Sequence, residues 1–272
     1  MNTQLPAEIA ALRNSHTRLS ALVSNLDGDG VRAPSYASEW SIAQVLSHLG
    51  SQAEIAGLAL TAGLAGGLAG ADSPDGTAGA APEREEMEPI WAAWNARTPE
   101  AQVTDSLEGT AHLLTRLEGL SPEQADVFRV TMFLGEVDLA TYIRLQLAEY
   151  ATHTWDVAVM LDPAATIAAD AIEPMLSQVA VFMGFVHPPA GEPFQVRVTT
   201  TDPARDYVLS MADKVSLAEH DDAGGDVDGA IELPAEAFVR LFYGRLDLDH
   251  TPPVRESGTR GLADLRQVFP GF

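Results

Sequence analysis

The sequence predicts an α plus α+β protein, a four-helix bundle with one extra helix followed by a small mixed domain. Three observations carry that expectation. Apolar residues recur at helical spacing through roughly the first 185 residues. The stretch His187-Pro188-Pro189-Ala190-Gly191-Glu192-Pro193 has the composition of a linker. Immediately after it, Phe194-Gln195-Val196-Arg197-Val198-Thr199-Thr200 alternates apolar and polar side chains with the period of a strand. The expected organisation is therefore a helical domain over 1–186, a linker over 187–193 and an α+β domain over 194–272.

Residues 6–26 form the first predicted helix, with Ile9, Leu12, Leu19 and Leu22 near helical spacing. The second, near 41–64, opens on Ser41-Ile42-Ala43-Gln44, which has the pattern of a capping box. Gly66 to Pro82 is rich in glycine and alanine and reads as a flexible loop. A third helical region spans about 86–119, with a break expected at Thr98-Pro99. A fourth runs from about 136 to 161 and stops before Asp162-Pro163. A fifth covers 167–185, so the whole region to 185 is expected to be helical. Beyond the linker, Tyr207–Met211, Val215–Ala218 and Ala230–Leu233 are further short strands. Pro234–Tyr243 reads as a helix with proline in its first turn.

Composition narrows the function classes. With 272 residues, 46% of them hydrophobic, the chain is long enough to bury a core and is expected to be globular. The 39 acidic residues against 16 basic give a net charge of −23, and Lys214 is the one lysine. That balance argues against unaided binding to nucleic acid or to an anionic membrane, because phosphate contacts need clustered cations. The apolar stretch 55–70 is short for a membrane span. With no cysteine there is no disulfide, no thiolate metal site and no cysteine nucleophile. The first residues lack the basic and apolar regions of a signal peptide. The expectation is a cytoplasmic protein, monomeric or homodimeric.

One segment concentrates chemistry. In Ala148-Glu149-Tyr150-Ala151-Thr152-His153-Thr154-Trp155-Asp156, the three ionisable groups Glu149, His153 and Asp156 lie at spacings of four and three. At about 100° per residue they share roughly 60° of helix surface. A carboxylate and an imidazole one turn apart are placed to chelate one divalent ion. Such a pair is also a common surface pair, and a chelate of two needs a third ligand. His48, in Trp40-Ser41-Ile42-Ala43-Gln44-Val45-Leu46-Ser47-His48-Leu49, is the best candidate, since antiparallel packing would bring the two faces together. Asp156 is read as a group orienting His153 or as a solvated acid at the helix end. Trp40 and Trp155 read as core anchors.

The two segments W-S-I-A-Q-V-L-S-H-L and E-Y-A-T-H-T-W-D-V-A together resemble the DinB-like metal-dependent family. More narrowly they resemble its actinobacterial branch, the mycothiol-dependent maleylpyruvate isomerase family. The resemblance covers essentially the whole chain and implies a DinB-like four-helix bundle followed by a small sterol-carrier-like α+β domain. It implies a metal triad of His48, Glu149 and His153, with zinc as the metal and a water or thiol completing its coordination. Asp156 takes a supporting role. In the family an arginine of the C-terminal domain also serves the site, and Arg245 is the most plausible match, with Arg240 and Arg260 as the other candidates; a surface salt bridge is the plain reading of any of them.

The resemblance further implies a function. Zinc would activate the sulfur of a low-molecular-weight thiol, mycothiol, and an interdomain cleft would hold its sugar portion together with a small electrophile. Arg245 would pair with a carboxylate on the substrate. Addition, bond rotation and elimination would give cis–trans isomerisation of a maleylpyruvate-like acid. Displacement, or addition without elimination, would give an S-transferase, the broader activity and the one the sequence reading prefers. A non-catalytic ligand-binding protein and a zinc-hydroxide hydrolase remain alternatives.

Overall fold

The chain folds as two compact units, Met1–Asp162 and Pro163–Phe272. The computed structural model describes residues 5–37, 39–69, 79–186, 192–220 and 226–271.

Capping signals set where the first unit's helices begin. After α1 (Leu5–Val23) and the single turn α2 (Gly28–Arg32), a reciprocal box opens α3 (Ile42–Ala69). The Gln44 amide donates to Ser41 Oγ at 3.3 Å, and the Ser41 amide donates to Gln44 Oε1 at 2.9 Å. α3 then runs past Gly66, where a loop is expected. The glycines of its second half are there for close packing: a Cβ on Gly63 would come within 2.4 Å of the Phe128 ring, and one on Gly67 within 1.9 Å of the Val127 carbonyl oxygen. The expected 66–82 loop is thus shorter than predicted. Its residues 70–78 lie outside the described residues, and Gly79–Ala80 form a two-residue strand, β1.

Next come α4 (Arg84–Asn95) and α5 (Pro99–Glu118), separated where the break is predicted. Thr98 caps α5 through its side chain, and Pro99 occupies the first turn, where its missing N–H costs nothing. α6 (Pro122–Val127) leads into a hairpin, β2 (Arg129–Met132) and β3 (Gly135–Asp138). With β1 parallel to β2, this makes a three-stranded sheet. The region to 185 is therefore not wholly helical. Val130 and Val137 face each other across the hairpin and are both buried, which is what fixes its register. Asp138 then caps α7 (Leu139–Leu161) by accepting from the Thr141 amide at 2.8 Å.

α1, α3, α5 and α7 form the bundle. Each of α1 and α3 packs on both α5 and α7. α1 runs parallel to α7: Arg144 pairs with Glu8 at 3.2 Å, and further along His16 meets Tyr150 at 3.0 Å. α3 runs antiparallel to α7, with the Tyr142 hydroxyl donating to the Ala56 carbonyl and His48 meeting Glu149. Leu12, Leu19, Leu46, Leu114, Ile143, Leu147 and Trp155 fill the space between them. At about 1.5–3 kcal/mol per fully buried large apolar side chain, this core is what holds the four helices in register.

In the second unit, the four strand predictions hold: β4 (Phe194–Thr201), β5 (Arg205–Met211), β6 (Val215–Glu219) and β7 (Gly229–Pro234). The sheet order is β6-β5-β4-β7-β8, with β8 (Arg255–Gly258) at an edge and β4–β7 the parallel pair. The α8 helix (Ala169–Phe182) precedes the sheet, α9 (Ala235–Phe242) follows β7, and α10 (Leu262–Val268) closes the unit. Pro234 is the N-cap of α9, which therefore begins one residue after the expected helix start. Gly244, at φ +71, ends this helical segment in the left-handed region that a side chain would strain.

The boundary differs from the expected 1–186 and 194–272. α8, predicted as the extra helix of the bundle domain, packs on α9 and β6 and belongs to the second unit. Its buried stripe, Ile172, Met175, Leu176 and Val179, is spent on that contact. Helical periodicity gives the face that a helix buries and is silent about its neighbour. Of the predicted linker 187–193, residues 187–191 lie outside the described residues.

Candidate metal centre

α7 is buried on almost every side through its second half, which is why ionisable groups there carry information. Thr152, His153, Thr154 and Asp156 are all buried, and Asp156 is 0% exposed. Antiparallel packing sets His48, two turns into α3, opposite Glu149. The His48 Nε2 and Glu149 Oε1 are in direct contact. His153 Nε2 stands 3.4 Å from the same oxygen. One ligand atom from each of His48, Glu149 and His153 lies within 4.8 Å of the others. The side chains of Glu149 and His48 are 40% and 21% exposed against 9% for His153, so the cluster opens on the side of the first two.

Asp156 fixes the orientation of His153. Its Oδ2 accepts from Nδ1 at 2.8 Å, which turns Nε2 toward Glu149 and His48. The loop before α3 supplies a wall. The Ser35 hydroxyl donates to the Trp40 carbonyl at 2.8 Å, and the Tyr36 amide donates to the Asp156 carbonyl at 3.0 Å, tying that loop to α7. The Trp40 ring is thereby held 5.1 Å from the His48 ring and 6.1 Å from the His153 ring. Expected to be a core anchor, Trp40 is half-buried and flanks the two imidazoles. An aromatic eight positions before a candidate ligand gave no sign of that role by spacing.

The electrostatics of Glu149 and His153 are set by the hydrogen bonds within the cluster. Burial on its own would raise the Glu149 carboxyl, but hydrogen bonds from His153 and His48 hold it well below the usual range. Burial would likewise lower His153, and the Asp156 and Glu149 carboxylates overrule it and push the imidazole up to about 9. Two imidazole nitrogens and a carboxylate oxygen, converging and open on one side, are a donor set suited to a divalent cation with a free coordination position. The residues fit such an ion.

The arginines expected near a substrate carboxylate lie in the second unit. The Arg240 guanidinium is buried and already engaged by both oxygens of Glu236, at 2.7 and 2.9 Å, and by the His250 carbonyl at 2.8 Å. Arg260 pairs with Asp264 at 2.8 Å and lies over the Phe194 ring. Arg245 follows α9 and donates to the Tyr243 carbonyl at 2.6 Å.

Comparisons with known proteins bear on the fold and the family. A crystal structure of a mycothiol-dependent maleylpyruvate isomerase superposes with a TM-score of 0.66 at 14% identity, covering 93% of this chain and 92% of that one. A mycothiol-dependent maleylpyruvate isomerase carrying a histidine-to-alanine mutation gives 0.62 at 15% identity, with 89% of each chain covered. These likenesses establish the fold, a helical bundle with a C-terminal sheet unit. No curated protein matches the sequence. The family profile described as the mycothiol maleylpyruvate isomerase N-terminal domain matches residues 12–158, which is more than half of the chain and includes all three clustered residues. The chain belongs to the mycothiol maleylpyruvate isomerase N-terminal domain family.

Proposed function

We propose that this protein is a zinc-dependent, mycothiol-using enzyme, and that its reaction is cis–trans isomerisation of a small maleylpyruvate-like acid. The single observation that carries the reading is the convergence of His48, Glu149 and His153 within a chain of this family. The sequence reading preferred an S-transferase. The family match favours the isomerase instead, since both the profile and the superposed structures are named for that activity.

A zinc ion held by these three residues supplies the positive charge that keeps a thiol ionised at neutral pH. The protein's own groups do the rest. Asp156 holds the His153 ring in the tautomer that leaves Nε2 free. Trp40 walls the two imidazoles on one side and limits the approach of water from there. In the reaction, the thiolate sulfur adds to one carbon of the cis double bond, and the electron pair moves onto the conjugated carbonyl oxygen. The resulting single bond rotates, the pair returns, and the carbon–sulfur bond breaks to release the trans isomer and the unchanged thiol. Arg245 is our candidate for pairing with a substrate carboxylate, since Arg240 is committed to Glu236. A cytoplasmic location belongs to this proposal; no described helix is long and apolar enough to cross a membrane.

The test is an assay of the purified protein with mycothiol and maleylpyruvate, following free thiol and substrate together. Isomer formation at constant free thiol supports the proposal. Stoichiometric thiol loss assigns an S-transferase, and neither change, in a protein that takes up no zinc, overturns the enzyme reading.

A further inference from the structure

α3 and α7 face each other in a fixed register. His48 meets Glu149, and two turns further along α3 the Ala56 carbonyl accepts from the Tyr142 hydroxyl. Between those two contacts lie Gln52, one turn beyond His48, and Gln146, one turn before Glu149. Residues three or four apart on a helix have Cβ atoms about 5–6 Å apart, so each glutamine neighbours a member of the cluster. Gln52, Gln146 and Glu149 line one space between the helices. Both glutamines are half-buried. Among the described residues, neither side-chain amide hydrogen-bonds to the other or to anything else.

The cluster opens in their direction. Side-chain exposure rises from His153, beside Trp40, through His48 to Glu149. Beyond the glutamines the row is closed by Tyr142 and Ala56, both buried. A molecule held at the open side of the cluster therefore meets two uncommitted primary amides. Such an amide carries no charge and offers a donor and an acceptor together. Its match is another amide, which pairs with it reciprocally; a carboxylate would leave its carbonyl oxygen unused. We propose that Gln52 and Gln146 are specificity-determining residues that recognise a secondary amide a few bonds from the sulfur of the thiol cosubstrate. The inference rests on the metal-dependent thiol chemistry proposed above, and it names the part of the thiol that this chain reads. With the sulfur at the cluster, an amide so close to it falls within one helical turn, where the glutamines stand. A thiol without that amide leaves both side chains to water.

Calorimetric titration of the zinc-loaded full-length protein tests this. N-acetylcysteine methylamide is the thiol that carries the amide, and 2-mercaptoethanol the one that lacks it. Gln52→Met and Gln146→Met keep the unbranched shape and remove the side-chain amide. Each should weaken binding of N-acetylcysteine methylamide by about 2–10-fold, the worth of one neutral hydrogen bond. Affinity for 2-mercaptoethanol and zinc content should stay unchanged, and melting curves check folding. An equal loss for both thiols would overturn the proposal, since the glutamines would then act through the cluster or through packing. Unchanged affinity for the amide thiol in both variants would overturn it too. So would a higher KM for the acid substrate with thiol affinity unaltered, which assigns the glutamines to the electrophile. Equal affinity of the unsubstituted protein for the two thiols overturns it without any variant, should neither variant fold. If the unsubstituted protein takes up zinc and binds neither thiol, the thiol chemistry proposed above fails and this inference fails with it.

Discussion

His153 on α7 and Arg240 on α9 are both buried cationic side chains held by a carboxylate one helical turn away, yet their surroundings are opposite in kind. Around Arg240 every polar atom described has an internal answer: Glu236 grips the guanidinium twice, and the Arg245 and His250 carbonyls accept from its other side. Around His153, one carboxylate oxygen is shared by two imidazoles, three ligand atoms crowd within 4.8 Å, and the Glu149 side chain is 40% exposed. A cluster that closes on itself is holding a fold together. One that crowds donor atoms around a common point, with an open side, is arranged for something that arrives from outside.

The comparison can be broken first at His48. His48→Ala removes one of three ligands, and metal analysis should then show a fall from about one zinc per chain to almost none, with activity lost. Retention of normal zinc would refute the triad. Glu236→Ala attacks the other cluster. It strands a buried guanidinium and should destabilise the second unit by about 3–5 kcal/mol in denaturant unfolding, without changing zinc content. A loss of zinc at unchanged stability would show that the two clusters were misassigned. Asp156→Asn should weaken zinc affinity by about 10–100-fold, because the neutral amide removes the charged acceptor and its NH2 group can hold the His153 ring in the other tautomer; unaltered affinity would reduce Asp156 to packing.

The remaining effect is one of pH, and its two halves run in opposite directions. His153 is raised to about 9 in the metal-free fold, above the ordinary 6.5. Its contribution to metal-free stability is therefore full below about pH 6.5 and lost as pH rises through about 9. Zinc needs the neutral ring, so its affinity should climb by up to about tenfold per pH unit across the same window. Melting temperatures of the metal-free protein and chelator titrations at several pH values check both slopes. Parallel trends would mean that the proton and the ion do not compete for His153.

How much of this was legible in sequence depended on length and on chemistry. α3, α5 and α7 were visible because they are long periodic runs, with the Ser41 capping box marking the start of α3 and Thr98-Pro99 the break before α5. The three-residue cluster was visible because a buried imidazole and carboxylate one turn apart match a known motif. The β2–β3 hairpin escaped because four-residue strands carry too little alternation to notice; Val130, Val137 and the positive-φ Gly135 were its only marks. The partner of α8 escaped for a different reason. An amphipathic stripe fits a bundle or a sheet unit equally well, and the choice is made by tertiary packing. Trp40 lies in the same class, since its importance comes from what the fold brings beside it.

His48 and Glu149 are 101 residues apart in the chain. A pair so distant cannot assemble in an unfolded polypeptide without closing a long loop, which is entropically costly and slow. A cation captured there would be a clasp that only the finished bundle can fasten. It would stabilise the native chain by about 2.7 kcal/mol when its free concentration is a hundred times its dissociation constant. Scarcity of the ion would then loosen the bundle as well as silence the site, and the persistence of this protein would follow the supply of its metal.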